Sequence, residues 1–253
     1  MSLDAVVLAG RVNEGRLKGA SAEEWEALID IAGEPMLQYV IDALEGASSV
    51  SGIVVVGPGD VLGKRIRSSR TRYVQQGGGM LDNLSRGFEA LPGRDKALVC
   101  TCDIPLITPQ VVDGFISECS VEDADFYYPI VSQEVAEERF PGVKRTYAAT
   151  ADGTFTGGNM FVARLGSAGK LRNTLEFLVE NRKKPLRMAA VLGVSFTIKL
   201  LFKRLTVREA EDKVLKLYGI RAKAVFTAFP EIGIDVDKPS DLELARSMLG
   251  GRG

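Results

Sequence analysis

Three short, largely apolar runs limit the architectures open to this chain: Ala5-Val-Val-Leu-Ala-Gly10, Ile53-Val-Val-Val-Gly57 and Ala97-Leu-Val-Cys-Thr-Cys-Asp103. Each is short and lacks the polar alternation of a strand with one wet face. Each therefore reads as a parallel strand covered on both sides. Helical patterns separate them. Pro35 opens a helix in which Met36, Leu37, Val40, Ile41 and Leu44 form one apolar stripe, with Pro in the first turn, where its missing N–H is no loss. Leu81 to Leu91 repeats the pattern with Leu84, Phe88 and Leu91 inward. A third helix, capped by Thr108 with Pro109 in its first turn, buries Val112, Phe115, Ile116 and Cys119. This alternation predicts an α/β fold with a mostly parallel central sheet and helices on both faces.

Past Asp123 the pattern loosens. Asp125 to Val131, Asn159 to Ala163 and Arg221 to Thr227 read as strands; Leu171 to Asn181 and Val207 to Tyr218 read as helices. A polar segment with Arg139, Lys144 and Arg145 separates the first two of these strands. No repeat or linker-like composition shift interrupts the chain, so one domain over 1–253 is expected.

Composition narrows the chemistry. Lys+Arg (32) nearly balances Asp+Glu (33), so no global field attracts nucleic acid or an anionic membrane, and any anion site must be local. The chain has no histidine, which removes the commonest general base and transition-metal ligand. Three cysteines are too few for a disulfide framework and point to a reducing, cytoplasmic setting. Cys100, Cys102 and Cys119 read as buried core thiols rather than soft-metal ligands. The N-terminus lacks a basic region before its apolar run, so no secretory signal is expected. Met188 to Leu205 is apolar but carries Lys199, Lys203 and Arg204; it reads as a core helix pair or an interfacial face, not a membrane span.

Two acidic strand ends stand out. Asp103 closes its strand ahead of Ile104-Pro105-Leu106, and a carboxylate at the carboxyl end of a buried strand lies where α/β sheets bind ligands. The turn Gly233-Ile-Asp235-Val-Asp237-Lys-Pro239 supplies two more, which the strand period places on one side. Asp237 has a rival reading as a helix-starting acid, and Asp241 reads as a first-turn acid stabilised by the helix dipole. Together Asp103, Asp235 and Asp237 have the hard oxygen donors that hold Mg2+ against phosphates. Gly10 begins a long loop with Arg11, Arg16 and Lys18, glycine allowing close backbone approach and the cations neutralising a triphosphate. A second loop, Gln75-Gln76-Gly77-Gly78-Gly79 followed by Asn83, can read a base through amide groups or serve merely as a flexible connection.

Those segments resemble a known family. Ala5 to Gly10, Gly33-Glu-Pro-Met36, Asp103-Ile-Pro-Leu106 and Asp235-Val-Asp-Lys-Pro-Ser-Asp-Leu242 are similar to the nucleoside-triphosphate transferases, in order along nearly the whole chain. The molybdenum-cofactor guanylyl- and cytidylyltransferase group is nearest. The resemblance implies a three-layer Rossmann-like fold of GT-A type, with 1–120 as nucleotide-binding half and 121–253 as acceptor-binding half. It implies nucleotide contacts at Leu8, Ala9, Gly10, Gln76, Gly77, Gly78, Gly79 and Asn83, acceptor contacts at Gly158 and Asn159, and a metal at Asp103 with Asp237. The chain departs from the pattern twice. Its first loop is expanded from Arg11 to Trp25, and Glu26 stands where relatives place a lysine.

The expected reaction is Mg2+-dependent transfer of a nucleotidyl group from an NTP, CTP or GTP by the resemblance, to a small and phosphorylated acceptor, with pyrophosphate released. Arg11, Arg16 and Lys18 serve the β- and γ-phosphates; Arg145 or Lys144 meets the acceptor's anion. A GT-A type glycosyltransferase is the alternative, although Cys102-Asp103-Ile104 lacks the Asp-x-Asp pattern. A non-catalytic nucleotide-binding relative, suggested by Glu26, is another.

Overall fold

The computed structural model describes residues 2–167, 169 and 192–251. In chain order the first half comprises β1 (Leu3–Leu8), β2 (Asp30–Ile31), β3 (Glu34–Pro35), α1 (Met36–Gly46), β4 (Val50–Val56), α2 (Gly59–Leu62), β5 (Thr71–Val74), α3 (Met80–Glu89), β6 (Lys96–Thr101) and α4 (Pro109–Glu118). There follow β7 (Phe126–Ser132), α5 (Gln133–Arg139), β8 (Ala148–Thr150), β9 (Gly153–Gly157), β10 (Met160–Arg164), α6 (Val194–Leu201), α7 (Val207–Tyr218), β11 (Ala222–Phe226) and α8 (Pro239–Gly250). The helix expected over Leu171 to Asn181 lies outside the described residues.

One nine-stranded sheet runs through the molecule in the order β5-β4-β1-β6-β10-β7-β9-β8, with β11 on β7. The central pairings β5–β4, β4–β1 and β1–β6 are parallel, as the continuous apolar runs require. β10 joins β6 antiparallel and carries the sheet onward to β7. Phe126 pairs with both Ala163 and Ala222, and Ile130 with both Gly157 and Phe226, so β7 organises the second half.

Strand alternation makes the layers. Ala5 and Val7 pack with Leu37, Val40 and Leu44 of α1 and Val112, Phe115 and Ile116 of α4. Val6 turns the other way, onto Leu84 and Phe88 of α3. Helices therefore cover both faces, and Cys100, Cys102 and Cys119 lie in the first of these cores. A third cluster joins Leu17 of the first long loop, Leu106, Ile234, Val236 and the inner face of α8.

Several elements lie outside what patterning shows. The β2–β3 hairpin turns through Ala32 and Gly33, both at positive φ (52° and 94°), the two-residue geometry that suits a twisted hairpin. Pro35 therefore ends a strand and precedes α1 rather than lying within it. The polar segment after β7 contains α5, which Ser132 caps by accepting from the Val135 amide. In its described part, the Met188 to Leu205 stretch forms α6; Ile198, Leu201 and Phe202 are exposed, so this helix is not a core element. Among the described residues no helix is long and apolar enough to cross a membrane.

α3 approaches β1 closely because Gly87 has no side chain: a Cβ there meets Val6 Cγ1 at 2.4 Å. Gly87→Ala should push the helix off the sheet and destabilise the fold by about 1–3 kcal/mol in urea unfolding. An unchanged midpoint would mean that α3 has room to move.

Candidate functional site

β1 and β6 are neighbours in register, Leu8 opposite Thr101, and the chain leaves both at the same sheet edge. Gly10 and Asp103 therefore emerge side by side, with the Cys102 amide donating to the Leu8 carbonyl at 3.2 Å. The distant acidic turn is attached to this edge through main chain. The Val236 N–H donates to the Asp103 carbonyl at 2.8 Å, while the buried Ile234 and Val236 alternate with Asp235 and Asp237. The result is that oxygens of Asp103, Asp235 and Asp237 all lie within 4.8 Å of one another. Asp241, not Asp237, accepts from the Asp237 and Lys238 amides at the start of α8, which leaves Asp237 free of capping.

Three oxygen donors at this separation fit a hard divalent cation such as Mg2+. The charges are compensated unevenly. Arg145 pairs with Asp235, and its buried Nε has no hydrogen-bond partner. Arg11 Nη1 lies 3.2 Å from Asp237 Oδ1, and its Nε 3.2 Å from the buried Glu26 Oε1. Asp103 has no arginine; it accepts from the Thr101 hydroxyl. Burial, helped by repulsion from Asp235 and Asp237, pushes its carboxyl up to about 6 against the stabilising Thr101 bond. Burial also raises Glu26, with Arg11 opposing and Asp103 and Asp237 adding to the rise. For Arg11, partial burial acts downward, but Glu26 and Asp237 outweigh it and the guanidinium is raised. The thiols take no part: burial pushes Cys100 up to about 12 and Cys102 well above its ordinary value.

The first long loop is ordered by its own bonds. Val12 bridges to Trp25, and the fully buried Asn13 holds the Ser21 and Glu23 carbonyls through Nδ2 at 3.2 and 3.0 Å. Leu17 anchors the tip in the third core. Arg16 lines the cleft, whereas Lys18 is exposed and is not among its lining residues.

The second glycine loop packs onto the first: a Cβ on Gly10 meets Gln76 Cβ at 2.8 Å. Asn83 Oδ1 accepts from the Gly77 amide at 2.7 Å, and Asp82 from that of Gly78 at 2.9 Å. Asn83 is thus a brace, and these two amides are already engaged. Gln76 Oε1, buried and without a partner, is the open hydrogen-bonding group here.

Beyond the acid cluster a cleft of about 400 Å³ is lined by Arg16, Lys144, Arg145, Gly158, Asn159 and Lys238, with Asp235 and Asp237 on its wall. Asn159 fixes this rim: its amide donates to Ile232 at 2.9 Å and its carbonyl accepts from Thr101 at 3.1 Å. The expected residues on the cleft wall or at its acid cluster are thus Arg11, Arg16, Asp103, Lys144, Arg145, Gly158, Asn159, Asp235 and Asp237. The contacts sequence reasoning missed are Thr101 and Lys238, and Glu26 as a partner of Arg11. Only Lys238, a cation beside Asp237, left a signal in the sequence.

Comparison with known proteins follows the same lines. Residues 5–191 match the model of the MobA-like NTP transferase domain. A hypothetical transferase from Thermus thermophilus superposes with a TM-score of 0.83 and 34% identity over 96% of this chain and 100% of that one. The 3-deoxy-manno-octulosonate cytidylyltransferase of Anaeromyxobacter dehalogenans is 24% identical over 258 residues, 97% of each chain. A CMP:2-keto-3-deoxy-manno-octonic acid synthetase solved with CTP shares the fold, with a TM-score of 0.61 at 15% identity and full coverage of both chains. The Rossmann-like GT-A type architecture is thereby established.

Ionised Asp103 is held at a cost. A carboxyl displaced upward lowers stability as pH rises from about 4, its ordinary value, through about 6. Asp103→Asn should therefore stabilise the metal-free protein at pH 7.5 by about 1–3 kcal/mol, with the gain vanishing near pH 4. Urea unfolding in EDTA at the two pH values measures this; destabilisation at pH 7.5 contradicts it.

Proposed function

The chain belongs to the MobA-like NTP transferase family, whose members are nucleotidyltransferases, and from that premise we propose that its acidic cleft transfers an NMP group from an NTP to a small anionic acceptor, releasing pyrophosphate. The observation that carries the reading is the meeting of Asp103, Asp235 and Asp237 at the edge where Gly10 leaves β1.

In this reading residues 1–120 bind the nucleotide and 121–253 supply the acceptor wall of one domain. Leu8, Ala9 and Gly10 bring main chain close to the phosphates. Gln76 offers its unpartnered carbonyl oxygen to the base, on a loop that Asn83 holds in shape. Arg11 and Arg16 take the β- and γ-phosphates, with Lys18 able to join only by reaching inward from its exposed position. An acceptor oxygen attacks the α-phosphorus in line, and pyrophosphate departs along the Arg11 side. Arg145, with Lys144 and Lys238 close by, receives the acceptor's anion above Gly158 and Asn159.

Asp103 with Asp235 or Asp237 would hold Mg2+, which when bound offsets charge on the phosphate oxygens. A phosphate or carboxylate-bearing acceptor suits a site without histidine, since positioning and charge neutralisation supply most of the catalysis in such a displacement. CTP or GTP is the proposed nucleotide, CTP being favoured by the cytidylyltransferase relatives. Three free, buried thiols suit a reducing cytoplasm.

Thermal-shift screening of the four NTPs with Mg2+, then pyrophosphate release over a panel of phosphorylated and sugar-acid acceptors, tests the proposal. Asp103→Asn should lower the release rate by a few factors of ten, several kcal/mol of transition-state stabilisation, while the circular dichroism spectrum stays unchanged. A wild-type rate in this variant removes Asp103 from the reaction. Sugar-nucleotide hydrolysis without pyrophosphate formation would instead favour a glycosyltransferase.

A further inference from the structure

Glu26 is 3% exposed, and the reaction outlined above gives it no task. It begins the short 3-10 turn Glu26–Leu28, and its own amide donates to the Arg11 carbonyl at 3.1 Å. Its carboxylate is paired with Arg11 Nε, whose Nη1 reaches Asp237. One guanidinium is therefore held at two points of different character. The side chain of Glu26 is 4% exposed and that of Asp237 49%, with Arg11 itself at 59%. The contact in water exchanges readily, whereas breaking the shielded one strands a buried charge.

Charge counting gives the shielded contact a purpose. Four carboxylates, Glu26, Asp103, Asp235 and Asp237, share two directly paired guanidiniums, Arg11 and Arg145, and the three aspartates have the spacing for a divalent cation. When such a cation takes Asp237, Arg11 loses its exposed partner. Glu26 is what remains to hold it at the mouth of the site.

Resting on the transferase reading above, we propose that Glu26 is a positioning residue: it anchors Arg11 by Nε so that the Nη edge released from Asp237 turns onto the nucleotide's β- and γ-phosphates. The buried acid is then the support of a cation supplied from position 11. A cation held at Asp237 would leave the Arg11 Nη edge to the phosphates.

The test is a double-mutant cycle read by titration calorimetry with MgCTP and MgGTP, and with MgCMP and MgGMP, on wild type, Glu26→Gln, Arg11→Ala and Arg11→Ala/Glu26→Gln. Glu26→Gln should weaken MgNTP binding about tenfold while changing MgNMP binding less than twofold, because a monophosphate lacks the groups that Arg11 meets. The double variant, which leaves no unpaired buried charge, should bind MgNTP within twofold of Arg11→Ala, as expected for residues that act through one another. Losses that multiply in the double variant, an equal loss for mono- and triphosphate, or unchanged binding by Glu26→Gln would each overturn the proposal. Failure of the wild type to bind any MgNTP would overturn the transferase reading, and this inference with it.

Discussion

A single main-chain hydrogen bond, from the Val236 amide to the Asp103 carbonyl at 2.8 Å, fixes the geometry on which the active edge depends. It joins two turns far apart in the sequence and brings the main chain of the Asp235–Asp237 turn against that of Asp103. Behind it, Ile234 and Val236 are driven into the core formed with Leu106 and α8. Because side chains alternate, burying those two aliphatic groups obliges Asp235 and Asp237 to face the cleft. The hydrophobic effect thus turns the acids toward the cleft, and the main-chain hydrogen bond holds their turn against Asp103.

The same arrangement works against stability. Carboxylates close together repel one another, and Asp103 has the Thr101 hydroxyl and its own main-chain amide for relief. Arg11 and Arg145 bring the sum toward neutrality without touching Asp103. Two acids are thus compensated by neighbouring guanidiniums, and the third is not. Such local frustration is expected where a site's charge must be completed by its ligand.

Much of this was legible in the residue order. β1, β4 and β6 are continuous apolar runs, and tertiary burial agrees with them on both faces. The pairing of Asp235 with Asp237 on one side followed from strand periodicity alone. What could not be read rests on contacts between distant or polar segments. α5 and the β8–β9 hairpin carry few apolar positions, so their pattern is weak; β9 is organised by pairing with β7. That Asn83 would brace Gly77, and that Glu26 would shelter under Arg11, depend on side-chain distances that spacing does not encode. Glu26 reads in sequence as a defect in a phosphate site. In three dimensions it is half of an ion pair.

The fully buried Asn13 makes the expanded first loop something other than a slack insertion. By tying the Ser21 and Glu23 carbonyls to the start of the loop, and with Leu17 sunk into the core, it gives the segment a fixed shape in the empty protein. A segment held in this way has little backbone freedom left to lose when anything docks against it. The length of this segment therefore comes with rigidity: it is a built wall of the cleft, not a strand of loose chain.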